Sequence, residues 1–262
     1  LRTIGAAHRQ YGTTGFLPTL ITTRFDVMRE AVSAVAEAIA IGTPGVLGLH
    51  LEGPFLSPER KGVHDAGKFC QLDQTGFDIL TSLQVGSTVV TLAPELTSPQ
   101  MISRLVAEGV IVCGGHSGAT YAQTRDALAQ GLSGFTHLYN AMTPLQSREP
   151  GMVGAALEDD DSWFGIIADG HHIHPAAFSV AVVAKKKGGA LLVTDAMPTV
   201  GSPDTSFILD GKTIVASEGR VTNAEGTLAG SDLNMLLAVN NAAKFARLDW
   251  FEAVRMASLY PA

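Results

Sequence analysis

The chain has 262 residues, 46% of them hydrophobic, a formal charge of -7 at pH 7 and a pI near 5.6. That balance argues against nucleic acid as the main partner, since no basic run is longer than Lys185 to Lys187. Two cysteines, Cys70 and Cys113, supply neither a disulfide framework nor a CxxC zinc ribbon, so a reducing cytoplasm is the expected location.

The chain opens at Leu1, without Met, in what reads as a helix, and stops at "MASLYPA" after another helical pattern, so we expect a fragment of a longer protein. Its apolar stretches reach about six to eight residues, short of the roughly 20 that span a bilayer, and no signal-peptide pattern opens it. The first strand signal is "GFLPTLITT". A helix is expected over Asp26 to Ile41, where Val27, Ala31, Val32, Val35, Ala38 and Ile39 follow the i, i+3, i+4 rule. "GVLGLHLEG" is the second strand signal, and it ends on a carboxylate, Glu52. The Gly53-Pro54 step stops the strand there and holds Glu52 on a rigid rim. "STVVTLAPE", "GVIVCGGHS", "GFTHLYNA", "FGIIADGHH" and "ALLVTDA" follow, mostly separated by helical stretches. "CGGHSG" lacks phosphate-loop spacing and a Lys, and reads as a metal or substrate loop. Phe207 to Thr222 alternates and carries Asp210-Gly211 and Glu218-Gly219, the signature of a β-hairpin excursion at about 205–224. Two last helices are expected from near Ser231 and Asp249, the latter with Glu252 in a capping box.

Strands alternating with helices imply a parallel sheet covered by helices, in one domain over 1–262. Each of "HLEG", "APE", "GGHS", "THLYN", "ADGHH" and "TDAM" puts a polar or ionisable group at a strand's carboxyl end. An open sheet would gather such groups at its switch point; a (β/α)8 TIM-type barrel spreads them around its mouth. The barrel is the expected fold class.

Glu52, His116 and His137 end three separate runs, and only a closing barrel would bring them together. One carboxylate and two imidazoles make a catalytic zinc set with a position left for water. Each also reads as an ordinary polar residue at a strand end. Asp195 in "LLVTDAMP" fits either a proton carrier or a cap on the next turn. The "HHIHP" cluster, His171 to His174, contains an HxH pattern of the kind that often binds metal; following the sixth run, it places one member to face substrate while another is merely exposed. His8 and His50 read as structural or solvated. Arg148, in "PLQSREPG", stays open between an anion anchor and a solvated loop cation.

"HLEGPFLSPERKGVHDAG", "GGHSGAT", "THLYNAM", "REPGMVGAAL", "IIADGHHIHP", "LVTDAMP" and "GTLAGSDLNM", in this order, closely resemble the N-acetylglucosamine-6-phosphate deacetylase family of the amidohydrolase superfamily. The resemblance covers nearly the whole chain. It implies a divalent metal, zinc or iron, on Glu52, His116 and His137, and Asp195 as the catalytic acid/base. It also implies sugar-phosphate contacts from His64, Asn140, Ala141, Arg148 and His172. The implied reaction is hydrolysis of N-acetylglucosamine 6-phosphate to glucosamine 6-phosphate and acetate, in amino-sugar catabolism and cell-wall recycling, by a cytoplasmic homodimer. Two departures stand out. Complete family chains begin with a small β-sandwich segment and a first barrel strand, which this chain lacks, and "TLAPE" has no lysine to match the carboxylated lysine of dinuclear relatives. The rival readings are another metal-dependent amidohydrolase acting on an unphosphorylated substrate, and a catalytically dead barrel kept for binding.

Overall fold

The computed structural model describes residues 1–262. Each of the seven apolar runs becomes a strand: β1 (Thr19–Ile21), β2 (Gly48–Glu52), β3 (Ser87–Leu92), β4 (Ile111–Gly114), β5 (Gly134–Phe135), β6 (Trp163–Ile167) and β7 (Ala190–Val193). They form one parallel sheet in chain order, in which Glu52 pairs with Thr91 and Cys113 with Gly134. Strands β2 to β7 are nearly continuous runs of buried residues because helices cover them on the outside. The helix Phe25–Ala40 turns Met28, Val32, Val35 and Ala38 inward, the stripe expected from its periodicity. Leu51, Leu92, Phe135 and Phe164 are among the fully buried side chains of the main core.

Adjacent strands lie about 4.8 Å apart, so β2 and β5 would stand roughly 14 Å apart in a flat sheet. Glu52 at the end of β2 nevertheless touches His137 just beyond β5. The sheet is therefore curled, with its carboxyl ends facing a common mouth, as a barrel requires. No helix is long and apolar enough to cross a membrane.

The segment after β7 is larger than a hairpin. It forms a four-stranded antiparallel sheet of β8 (Ser206–Leu209), β9 (Lys212–Ser217), β10 (Arg220–Thr222) and β11 (Leu228–Ser231). Its two tight turns place Asp210-Gly211 and Glu218-Gly219 at positive φ, as hairpin turns of the primed type demand. β11 escapes sequence reading because "LAGS" is short and has no β-branched residue. Ser231 at its end donates its N–H to Asp195 O at 2.8 Å and accepts from Met197 N at 2.9 Å, which roots the small sheet beside the end of β7. Because Ser231 is used in pairing, the next helix starts later than expected, at Met235, with Asn234 Oδ1 accepting from Leu237 N at 2.9 Å. The last helix starts at Trp250, capped by Asp249 on Phe251 N. Glu252 does not reach back to complete a capping box; it pairs with Arg255 and Tyr260 instead.

Lys185, the first residue of the longest basic run, is only 6% exposed. Its ammonium donates to Ala156 O at 2.8 Å, to Asp159 O and to Ser162 Oγ at 3.1 Å. It thus satisfies carbonyls left over at the end of the helix Gly151–Glu158 and fixes the approach to β6. Lys185→Ala is expected to lower the free energy of unfolding by about 1–3 kcal/mol, the cost of stranded buried acceptors. Exposed Lys186→Ala should change it by less than about 0.5 kcal/mol, with both read from urea denaturation.

Candidate metal centre at the barrel mouth

Glu52 ends β2 and is followed by Gly53 at φ +85, where a Cβ would collide with Thr22 Oγ1, so only glycine admits this turn. His116 lies two residues beyond β4, His137 two beyond β5 and Asp195 two beyond β7. All three are left-handed, with φ of 47, 37 and 50. Such backbone costs a non-glycine residue roughly 1–2 kcal/mol, and its recurrence at one offset from three strand ends marks a functional rim.

The side chains converge. Glu52 Oε1 lies 3.0 Å from His137 Nε2 and 3.2 Å from His116 Nε2, and the two Nε2 atoms are 3.1 Å apart. All three residues are buried. A tetrahedral ion with bonds of about 2.0–2.1 Å spaces its ligands roughly 3.3 Å apart, so the triangle fits one small divalent cation. The tautomer of His116 fits as well. His116 Nδ1 donates to Arg60 O at 2.7 Å, which leaves Nε2 as a lone pair facing the centre of the triangle. His137 Nδ1 is buried without a partner.

In the absence of a cation a proton must separate these groups. Burial alone would lower the His137 pKa, but the Glu52 carboxylate overrides it and pushes the ring up to about 9. Glu52 is likewise opposed by burial, yet its bonds to His116 and His137 hold it well below the ordinary carboxylate range. The half-buried Asp195 is pushed up to about 6, first by burial and then by the negative charge of Glu52, with His137 and His172 pulling the other way.

Four further candidates lie at this mouth. The His64 ring packs edge-on against His116 with centroids 4.5 Å apart. Its Nδ1 accepts from the Thr22 hydroxyl at 2.9 Å and from Thr22 N at 3.4 Å, so its proton sits on Nε2. Burial lowers its pKa to about 4, so the ring is neutral. Asn140 and Ala141 sit on the turn after His137, where the Asn140 amide donates to His137 O at 3.2 Å and Ala141 takes φ 51. His172 Nδ1 bonds Asp169 Oδ2 at 2.6 Å, which frees Nε2 for a ligand. Asp169 Oδ1 accepts the N–H groups of His171 and His172 at 2.8 Å each. Burial would raise the Asp169 carboxyl, but these bonds hold it below its usual range.

Other candidates stand apart. His174 Nδ1 accepts from Ala176 N at 3.1 Å and caps a helix, and His171 is exposed against the turn at Gly219, so the HxH pattern is not a metal site here. Arg148 is exposed in a loop whose residues 144–149 all face solvent. His50 belongs to a polar layer inside the barrel, bonded to Thr19 at 3.0 Å and to Thr91 at 2.7 Å, with Thr91 in turn bonded to Thr136 at 2.6 Å. Thr22, Asp169 and the Arg60 carbonyl were not among the sequence candidates. Asp169 had a signal, standing three residues before His172 in "ADGHH"; a backbone carbonyl has none.

No protein-family profile matches the chain. Similar proteins are nevertheless known. An N-acetylgalactosamine-6-phosphate deacetylase of Shewanella sp. (strain ANA-3) is 45% identical, over 100% of this chain and 66% of its own length. The solved N-acetylglucosamine-6-phosphate deacetylase of Pasteurella multocida superposes with a TM-score of 0.96 at 36% identity, covering 100% of this chain and 69% of that one. A mutant of the Mycobacterium smegmatis N-acetyl-D-glucosamine-6-phosphate deacetylase, in complex with N-acetyl-D-glucosamine-6-phosphate, superposes with a TM-score of 0.93 at 32% identity, over 100% and 70%. The chain spans about two thirds of the length of each.

The raised His137 pKa sets a stability window. Its proton is bound more tightly in the folded chain, so the stabilisation is complete below about 6.5 and is lost as pH rises through about 9. Chelator-stripped protein should therefore show a Tm that falls between those values, while protein saturated with zinc, which replaces the proton, should not; calorimetry across the range checks this. A flat profile for the stripped protein would contradict the triangle's electrostatics.

Proposed function

Since the chain belongs to the N-acetylglucosamine-6-phosphate deacetylase family of amidohydrolases, we propose that it hydrolyses the acetamide of N-acetylglucosamine 6-phosphate in amino-sugar catabolism and cell-wall recycling. The observation that carries this reading is the triangle of Glu52, His116 and His137 with Asp195 beside it. A divalent cation bound there, zinc first and iron as the alternative, supplies Lewis-acid chemistry: it polarises the acetamide carbonyl and acidifies water.

The chain's own residues do the rest. Asp195, with a pKa near 6, is ionised at neutral pH and close enough to neutrality to accept a proton from the attacking water and pass it to the leaving amine. His64 Nε2–H and His172 Nε2 are held by Thr22 and Asp169 as oriented hydrogen-bonding groups for the sugar. Asn140 and Ala141, on the left-handed turn, complete the sugar contacts. The acidic chain needs local positive charge for the phosphate, and we assign that role to Arg148. Its exposure on an outer loop, beside a Leu145 that is 54% exposed, fits an arginine that serves the neighbouring subunit of a homodimer. Exposed free Cys70 accords with a cytoplasmic location.

Acetate release by the intact protein tests the reading, with the glucosamine and galactosamine epimers assayed side by side because relatives carry both names. Release should stop on chelation and return with zinc. Asp195→Asn should lower kcat by about 10²- to 10⁴-fold with metal retained, and Arg148→Ala should raise KM more than it lowers kcat. Asp169→Asn, which removes the partner of His172 Nδ1, should also raise KM. Metal bound without release of acetate from either epimer would favour an amidohydrolase of unphosphorylated substrates; neither metal nor release would favour a binding barrel.

A further inference from the structure

Glu95 stands in the turn directly after β3, outside the triangle, and both its oxygens are committed to the loop that carries His116. Oε2 accepts from Ser117 Oγ and Oε1 from Gly118 N, each at 2.6 Å. These are the two residues that follow His116. Ser117 is completely buried, and its Oγ also accepts from Ala119 N at 3.0 Å. A Cβ at Gly118 would lie 3.4 Å from Glu95 Oε1, so the carboxylate closes directly over the loop backbone.

The same short loop is tied to the other half of the mouth. Ser117 N donates to Ala141 O at 3.0 Å, and Thr143 Oγ1 donates to Ala119 O at 2.5 Å. On its other side His116 O accepts from Ser57 N at 2.9 Å. The left-handed backbone of His116 is thus over-determined, and the anchors of the two residues that follow it, Ser117 Oγ and Gly118 N, end on one carboxylate. Charge-assisted bonds to an ionised acceptor are the stronger kind, and a neutral amide cannot replace both, since one of its two ends is a donor.

We propose that Glu95 is a positioning residue for the metal ligand His116: by gripping Ser117 and Gly118 it aims His116 Nε2 at the metal and keeps the metal loop in register with the Asn140-Ala141 turn. This rests on the metal reading above. Both Glu95 oxygens bond the loop and Glu95 lies outside the Glu52, His116 and His137 triangle, so its loss acts through His116.

The test uses the intact protein and its Glu95→Gln, Glu95→Ala and Ser117→Ala variants, stripped and then titrated with Co(II) against a chromophoric chelator below their melting temperatures. Glu95→Gln, which keeps size and one acceptor, should fold and bind Co(II) about tenfold to hundredfold more weakly, the usual effect of losing an outer-shell partner. The visible absorption bands of its Co(II) form should shift, because the ligand geometry changes. Ser117→Ala should weaken binding in the same direction by a smaller factor. A purely structural role would lower Tm and leave the Co(II) affinity and spectrum as in the parent; that result overturns the proposal even with the metal reading intact. A parent protein that binds no Co(II) overturns both.

Discussion

Three atoms that would otherwise repel one another, Glu52 Oε1, His116 Nε2 and His137 Nε2, are held within 3.2 Å in a buried pocket. Most other features of the mouth follow from that constraint. Bringing the atoms together needs a curled sheet, because β2, which carries Glu52, is a neighbour of neither β4 nor β5. It also needs left-handed turns at His116 and His137, each costing roughly 1–2 kcal/mol. Charge-assisted hydrogen bonds of about 1.5–3 kcal/mol each are large enough to hold such turns, and Glu95 makes two beside His116. The residual repulsion is met by a proton or, better, by a divalent cation. The strained backbone thus keeps three ligating atoms at a spacing that fits one small divalent cation.

A second layer surrounds this centre and fixes how its groups face the mouth. Arg60 O, Thr22 and Asp169 each engage the Nδ1 of one imidazole, so His116 presents a lone pair, His64 a proton, and His172 an Nε2 free for a ligand. The small sheet β8–β11 covers the mouth from one side. Its apolar face, Ile214, Val221 and Ala229, packs on Val63, the neighbour of His64, and on Met197 near Asp195. Lys68 reaches Asp210 in its first turn at 2.8 Å. The cover thus touches both the loop that carries His64 and the turn that carries Asp195.

The strands, the barrel class and the triangle were legible because each strand is an apolar run that ends abruptly on one ionisable group. That contrast survives in sequence even for Glu52 and His137, which are 85 positions apart. What was illegible depends on contacts without local signatures. Lys185 shows in the sequence only as the first of three consecutive lysines, and only the leftover carbonyls of a distant helix explain its burial. β11 is visible only through its partner strand, and the carboxylate of Glu95 shows its use only once the His116 loop lies against it. In "HHIHP" the pattern suggested metal, whereas the local turn chemistry of Asp169 and the helix start at Pro175 assign its members to other tasks.

The most direct test of the central claim is an anomalous difference map from crystals of the intact protein grown with zinc, recorded on both sides of the zinc edge. The account predicts one peak at about 2.0–2.2 Å from Glu52 Oε1, His116 Nε2 and His137 Nε2 together. Zinc found elsewhere, with the triangle still closed by hydrogen bonds alone, would contradict it.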